Sequence, residues 1–188
     1  MLSTTLEKLS EDLKSKTECD QVFLTNYKLH NNLGFPLSYV QFAKTLGWGR
    51  LCGLFLVYVP LKTYPDSWGL RSRYIRGLMD EFYQFVETDA KYEFLLEPDG
   101  SFELVKNAIP FAMSENGEYL IWDIMNPDER GEFPIYMLAA RMGGVNFAGR
   151  DLIHFINMCI DDEKVKIAMG SGYNKLPLTF EPIKIHHY

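Results

Sequence analysis

The chain has 188 residues, of which 47% are hydrophobic, and this supply of apolar side chains suits one folded domain and argues against disorder. Its formal net charge of −6 disfavours nucleic-acid binding, because an acidic surface repels phosphate backbones. No stretch approaches the ~20 apolar residues of a membrane-spanning helix, and the N-terminus lacks the hydrophobic region of a signal peptide. We therefore expect a cytoplasmic protein without membrane contact.

The N-terminal part of the chain is predicted to contain two short helices. Leucines at positions 6, 9 and 13 mark an amphipathic helix, and a polar connector follows to residue 20. A second helix is expected over residues 25–33.

Residues 33–60 combine helix and strand signals. Pro36 restricts the residue before it, and Ser38 followed by Gln41 is typical of a capping box, which predicts a helix over residues 39–46. Glycines at 47 and 49 end this helix, and the apolar run 54–59 predicts a strand. This segment carries no catalytic group, which favours a binding protein over an enzyme.

The middle of the chain predicts one helix and two hairpins. Apolar residues recur at helical spacing over residues 73–86. A first hairpin is expected where residues 93–97 and 102–105 flank a Pro-Asp-Gly turn. A second is expected around Asn116-Gly117, and residues 133–139 add a strand after the acidic loop 126–132.

The C-terminal part predicts a helix that starts near Gly149 and an extended, peripheral tail over residues 175–188. Residues 161–163 place three carboxylates at the end of this helix, where they would oppose its macrodipole. The alternatives are that the helix ends before Asp161 or that these carboxylates serve a partner surface. No linker or repeat divides the chain. We therefore predict one α+β domain over residues 1–188, with a mixed, mostly antiparallel sheet of about five to seven strands flanked by helices.

The sequence carries few signals for catalysis. It contains no nucleophile elbow, phosphate-binding loop or metal-ligand motif. His154 follows Asp151 by three positions, as in a general-base pair, but no motif places a nucleophile beside them. The three cysteines lie far apart, which favours buried free thiols. We therefore predict no enzyme activity, no catalytic residue, no cofactor and no metal site.

The negative charge is concentrated in the second half of the chain. Residues 1–94 are neutral overall, whereas residues 95–188 carry all of the excess of six carboxylates. Nine carboxylates and two basic residues lie between Glu97 and Glu132. Such a surface would attract a basic protein. The alternative is that these charges only keep the protein soluble.

Two tryptophans are candidates for partner contact. Trp48 lies on a glycine turn and is the better candidate for exposure, and Tyr39 lies one helix earlier. Trp122 lies in an apolar strand beside Asp123, which favours a position in the core or on the floor of a groove.

The order of these elements resembles the SUKH superfamily, which includes fungal cell-wall-assembly regulators and bacterial immunity proteins. The similarity follows the proline-led helix and glycine turn at residues 33–60, the sequence Ile109–Ala112, the hairpin Asn116–Asp123 and the late helix. It spans roughly residues 25–159. The chain departs from the common pattern by lacking a second proline beside Pro36 and by its long segment between residues 61 and 92.

This resemblance implies that the sheet and its bordering loops form a groove that receives a protein. It implies a non-catalytic immunity protein that neutralises a cognate bacterial toxin, such as a basic nuclease, by occluding it. The alternative is a regulatory adaptor or scaffold of the cell-wall-assembly-regulator type. The predicted partner-binding residues are Tyr39, Trp48, Trp122, Asp123, Asp128, Glu129 and Glu132.

Overall fold

The structure, a computed structural model, describes residues 3–11, 13–30 and 32–185. Seven strands form one sheet, and these are β1 (Gly49–Leu51), β2 (Phe55–Val57), β3 (Ile109–Ser114), β4 (Tyr119–Trp122), β5 (Ile135–Leu138), β6 (Val145–Gly149) and β7 (Phe180–Pro182). The α-helices are α1 (Thr4–Ser10), α2 (Gln21–Asn26), α3 (Leu37–Thr45), α4 (Trp68–Thr88), α5 (Phe102–Asn107), α6 (Leu152–Cys159) and α7 (Lys164–Met169).

The sheet has the order β6-β5-β4-β3-β2-β1-β7, and every neighbouring pair of strands is antiparallel. The predicted α+β class is confirmed, and the number of strands lies at the upper end of the predicted range. Among the described residues, no helix is both long enough and apolar enough to cross a membrane.

Side chains alternate between the two faces along each strand, so neighbouring residues show what covers each face. Helices cover both faces of this sheet. On one face, Phe55 of β2 packs edge-on against Phe155 of α6, with ring centroids 5.1 Å apart. Leu56 points to the other face. It pairs with Met113 of β3, which in turn pairs with Tyr119 of β4, so all three side chains lie on this face. Tyr119 shares a groove with α4 residues, so α4 lies on this second face.

The second predicted hairpin is confirmed and the first is wrong. Strands β3 and β4 join through the turn at Asn116-Gly117, and Gly117 has the positive φ of +96° that the turn requires. Residues 90–107 instead form a 3-10 helix over Ala90–Leu96 and the helix α5. Side chains cap both helices, since the Asp89 carboxylate accepts from the backbone N–H of Lys91 and Ser101 Oγ from that of Leu104.

Of the alternatives for residues 161–163, the structure shows that the helix ends before Asp161. Helix α6 ends at Cys159, and α7 begins at Lys164. Asp161 Oδ1 accepts hydrogen bonds from the backbone N–H groups of residues 163 and 164. The carboxylates therefore precede a helix N-terminus, where negative charge is favourable.

Several boundaries differ from the sequence-based expectation. Helix α2 starts at Gln21 rather than Thr25, because the Asp20 side chain caps it. The tail is extended as predicted, but part of it forms the edge strand β7, where Phe180 packs against Phe42. The final part of the predicted tail, residues 186–188, lies outside the described residues.

Candidate functional site

Five of the seven predicted partner-binding residues are buried in the structure, so they offer little surface to a partner. They are Tyr39, Trp48, Trp122, Asp123 and Glu132. Only Asp128 and Glu129 remain at the surface among the seven.

The predicted exposure of Trp48 fails because distant segments cover the glycine turn. Its indole packs edge-on against Tyr64, with ring centroids 5.3 Å apart, and its side chain is 4% exposed. Gly47 approaches the backbone of Thr17 so closely that a Cβ would overlap it. On the other side, the backbone N–H of Ile183 donates to the Trp48 carbonyl at 3.1 Å. Segments near both ends of the described chain therefore cover this turn.

Trp122 lies in the core, as predicted, and Tyr39 joins it there. The Trp122 ring stacks on Phe111 at 4.3 Å with an interplanar angle of 6°, and Tyr39 meets it edge-on at 4.9 Å. The Tyr39 hydroxyl donates to the Tyr58 carbonyl at 2.6 Å, and burial raises the pKa of this phenol. These residues form a structural centre rather than a contact surface.

The Glu132 carboxylate accepts hydrogen bonds at the N-terminus of α3. It accepts from the Ser38 backbone N–H at 2.7 Å and from the Ser38 hydroxyl at 2.6 Å, and Ser38 Oγ accepts from the backbone N–H of Leu152 at 3.2 Å. The predicted capping box at Ser38 is therefore wrong, because a distant carboxylate supplies the cap. Burial raises the pKa of Glu132, and the hydrogen bonds from Ser38 oppose this shift.

The carboxylates of the loop that follows β4 mainly hold the loop itself. Asp123 accepts from the Met125 backbone N–H at 3.1 Å and from the Asn126 side-chain amide at 2.8 Å. Asp128 accepts from the backbone N–H of Glu132 at 2.9 Å and also binds the Arg130 guanidinium. The first of these contacts is the main reason that the pKa of Asp128 is lowered.

The acidic surface is consequently smaller than the sequence suggests. Of the nine carboxylates between residues 97 and 132, Glu118, Asp123 and Glu132 are buried. Glu115 and Asp128 pair with Arg50 and Arg130. The exposed carboxylates that form no ion pair among the described residues are Glu97, Asp99, Glu103 and Glu129.

The Asp151 and His154 pair caps α6. Asp151 Oδ1 accepts from the backbone N–H of His154 at 2.8 Å, and His154 Nδ1 accepts from the backbone N–H of Arg150 at 3.1 Å. The predicted free thiols are confirmed as buried, and burial raises the pKa of Cys52 to about 12. No group of three or more His, Cys, Asp or Glu residues is arranged to hold a metal within the described part of the chain.

An exposed apolar surface lies on the outer side of α4, and it was not predicted from the sequence. Leu70, Tyr74, Leu78, Phe82 and Phe85 follow one another at spacings of three or four residues and share one side of the helix. Tyr74 is 60% exposed and Phe85 is 52% exposed. We call these five residues the α4 stripe. The sequence signal for this surface was that the apolar residues of α4 span a wider arc of the helix than packing against the sheet can bury.

A groove adjoins the C-terminal half of the α4 stripe. Its volume is about 630 Å³, and Phe82 and Tyr119 form part of its lining with Met142 from the segment between β5 and β6. We call it the α4 groove. Arg141 and Met142 both have positive φ, +61° and +56°, which costs ~1–2 kcal/mol for a residue with a side chain. The Tyr83 hydroxyl donates to the Met142 carbonyl at 3.2 Å and holds this strained segment beside the groove.

Comparison with protein-family models, curated proteins and solved structures finds no match to this chain. The α4 stripe and the α4 groove together are the candidate functional site.

Proposed function

We propose that this chain is a non-catalytic protein-binding domain whose partner docks on the α4 stripe and the α4 groove. The observation that supports this proposal is that Tyr74 and Phe85 expose more than half of their side chains on a helix whose other side is buried against the sheet. Large contiguous apolar surfaces on soluble proteins mark interaction sites. Aromatic side chains of this kind are frequent anchors of protein interfaces.

The groove beside the stripe suits an apolar element of a partner. Its volume of about 630 Å³ accommodates several large side chains. Glu81 and Arg141 also line it and offer both signs of charge at its border. An apolar centre with a polar border is the usual organisation of a specific interface.

In its specific form, the proposal is a cytoplasmic immunity protein that occludes a cognate bacterial toxin. The support for this form is the resemblance of the element order to SUKH proteins. A regulatory adaptor of the cell-wall-assembly-regulator type is the alternative that the same resemblance implies. A gene directly downstream of a large multidomain toxin gene would favour immunity, and an isolated gene would favour regulation.

The test is affinity for the protein encoded beside this one, measured by calorimetry with purified components. We expect Tyr74→Ala with Phe85→Ala to weaken binding by ~30-fold to 1,000-fold, since each anchor contributes ~1–2 kcal/mol or more. The matched control is Met125→Ala with Ile167→Ala, which removes exposed apolar side chains from other elements. Circular dichroism verifies that all variants are folded. Equal affinities for both double variants would contradict the proposed site.

A further inference from the structure

A second concave surface lies at the N-terminal end of α4. It has a volume of about 510 Å³, within the range of ligand sites, and α2, residues 60–62, α4 and residues 106–110 surround it. Its lining contains four Lys or Arg side chains and one carboxylate, Asp20. We call it the basic cleft, and its cationic residues are Lys62, Arg73, Arg76 and Lys106.

Half of these cations are already engaged within the protein. Arg76 pairs with Asp80 at 2.7 Å and also donates to two backbone carbonyls beside the cleft. Lys106 lies 3.6 Å from a carboxylate oxygen of Glu87. Lys62 and Arg73 are exposed and form no ion pair among the described residues. The cleft therefore retains positive charge in a chain whose net charge is −6.

Aromatic rings form one wall of the basic cleft. Phe23 and Tyr27 stack at 4.7 Å, and Trp68 meets Tyr27 edge-on at 5.4 Å. Phe23 and Tyr27 are each more than one third exposed, so their rings can accept a further apolar contact.

The indole N–H of Trp68 is buried and has no hydrogen-bond acceptor among the described residues. A buried donor left unpaired costs ~1–3 kcal/mol. The cleft itself combines free positive charge with aromatic contact area. This chemistry fits a ligand that carries carboxylates beside an aromatic or aliphatic group.

We propose that the basic cleft binds an acidic segment of the partner protein. Carboxylates of this segment pair with Lys62 and Arg73, and a neighbouring aromatic or aliphatic side chain packs against Phe23 and Tyr27. The inference rests on the proposed function, because it describes a second contact with the same partner.

Continuity with the first site favours a protein segment over other anions. Leu70 lines the basic cleft and is also the first residue of the α4 stripe, so one partner can reach both surfaces. A long polyanion such as RNA would meet the net negative charge of the rest of the protein.

The test uses a short fluorescent peptide that alternates glutamate and phenylalanine. Two control peptides replace either all glutamates with glutamine or all phenylalanines with alanine. Fluorescence anisotropy should show saturable binding of the first peptide, at least ~10-fold tighter than either control, with affinity that falls as salt is raised.

Variants locate the binding to the cleft. Lys62→Ala with Arg73→Ala should weaken binding of the acidic aromatic peptide by ~10-fold. The matched control, Arg150→Ala with Lys184→Ala, removes the same charge from exposed positions outside the cleft and should leave the affinity unchanged.

Three results would overturn the inference: no saturable binding, equal affinity for the glutamine peptide, or an equal effect of the two double variants. Binding of ATP in place of the peptide would assign the cleft to nucleotides and overturn it as well. If a partner requires Tyr74 and Phe85 but is indifferent to Lys62 and Arg73, the proposed function stands and the cleft inference fails.

Discussion

Replacing Trp122 with alanine tests whether the aromatic cluster beneath α3 is a main source of stability. Its side chain is 1% exposed, so truncation leaves a cavity, for which a cost of ~3–5 kcal/mol is typical. The stack on Phe111 and the edge-on contact with Tyr39 are each worth ~0.5–1.5 kcal/mol beyond burial. We therefore expect the upper part of the range, ~4–5 kcal/mol.

Denaturant unfolding followed by circular dichroism measures this difference directly. For a chain of this size, ~1 kcal/mol corresponds to ~2–4 °C in Tm, so Trp122→Ala should lower Tm by ~8–20 °C. Trp48→Ala is the comparison, because its ring contacts one aromatic ring among the described residues and its indole N–H lacks an acceptor. We expect a smaller loss there. A larger loss for Trp48→Ala, or a loss of less than ~2 kcal/mol for Trp122→Ala, would refute the claim that the cluster of Trp122, Phe111 and Tyr39 is a main source of stability.

Two further predictions concern carboxylates of the loop after β4. Because burial raises the pKa of Glu132, its contribution to the free energy of unfolding is largest below the ordinary carboxyl pKa of 4.5 and declines as pH rises through the raised value. Glu132→Gln should remove this decline, and parallel stability–pH curves for both proteins would contradict the expectation. Asp128→Asn with Glu129→Gln should slow association with a basic partner and weaken its salt dependence. The loss of stability should be small, because asparagine keeps an acceptor oxygen for the backbone N–H of Glu132. Stopped-flow rates matching those of a Glu7→Gln, Glu11→Gln control, at α1 and its C-cap, would show that the loop charges are only solvated.

The elements that could be predicted from sequence are those whose signals are local. The turn at Asn116-Gly117 identified the β3–β4 hairpin, because its strands are adjacent in sequence and its glycine adopts positive φ. The apolar period over residues 73–86 identified α4 for the same reason. Residues 93–105 misled the prediction because the capping side chains of Asp89 and Ser101 favoured helices over an extended pair of strands.

The candidate site was harder to predict because exposure depends on segments distant in sequence. Trp48 is buried by backbone from Thr17 and Ile183, which no local pattern around the glycine turn indicates. The Glu132 carboxylate accepts hydrogen bonds from Ser38, ninety-four positions earlier in the chain, and is therefore not free to contact a partner. The α4 stripe shows the converse effect. Its spacing is readable from sequence, but the packing of the sheet decides which apolar arc of the helix stays exposed.

The position of β7 has a consequence for how the chain is made. Gly49 of β1 pairs with Pro182, and a Cβ at Gly49 would overlap the backbone of Glu181, so these strands close tightly. During synthesis, β1 leaves the ribosome long before residues 180–182 exist, and its outer hydrogen-bonding groups remain unpaired for that time. An open strand edge of this kind is a template for pairing with another chain. Pairing with β7 covers this edge of β1 and leaves β7, a strand of three residues that includes Pro182, as the edge of the sheet.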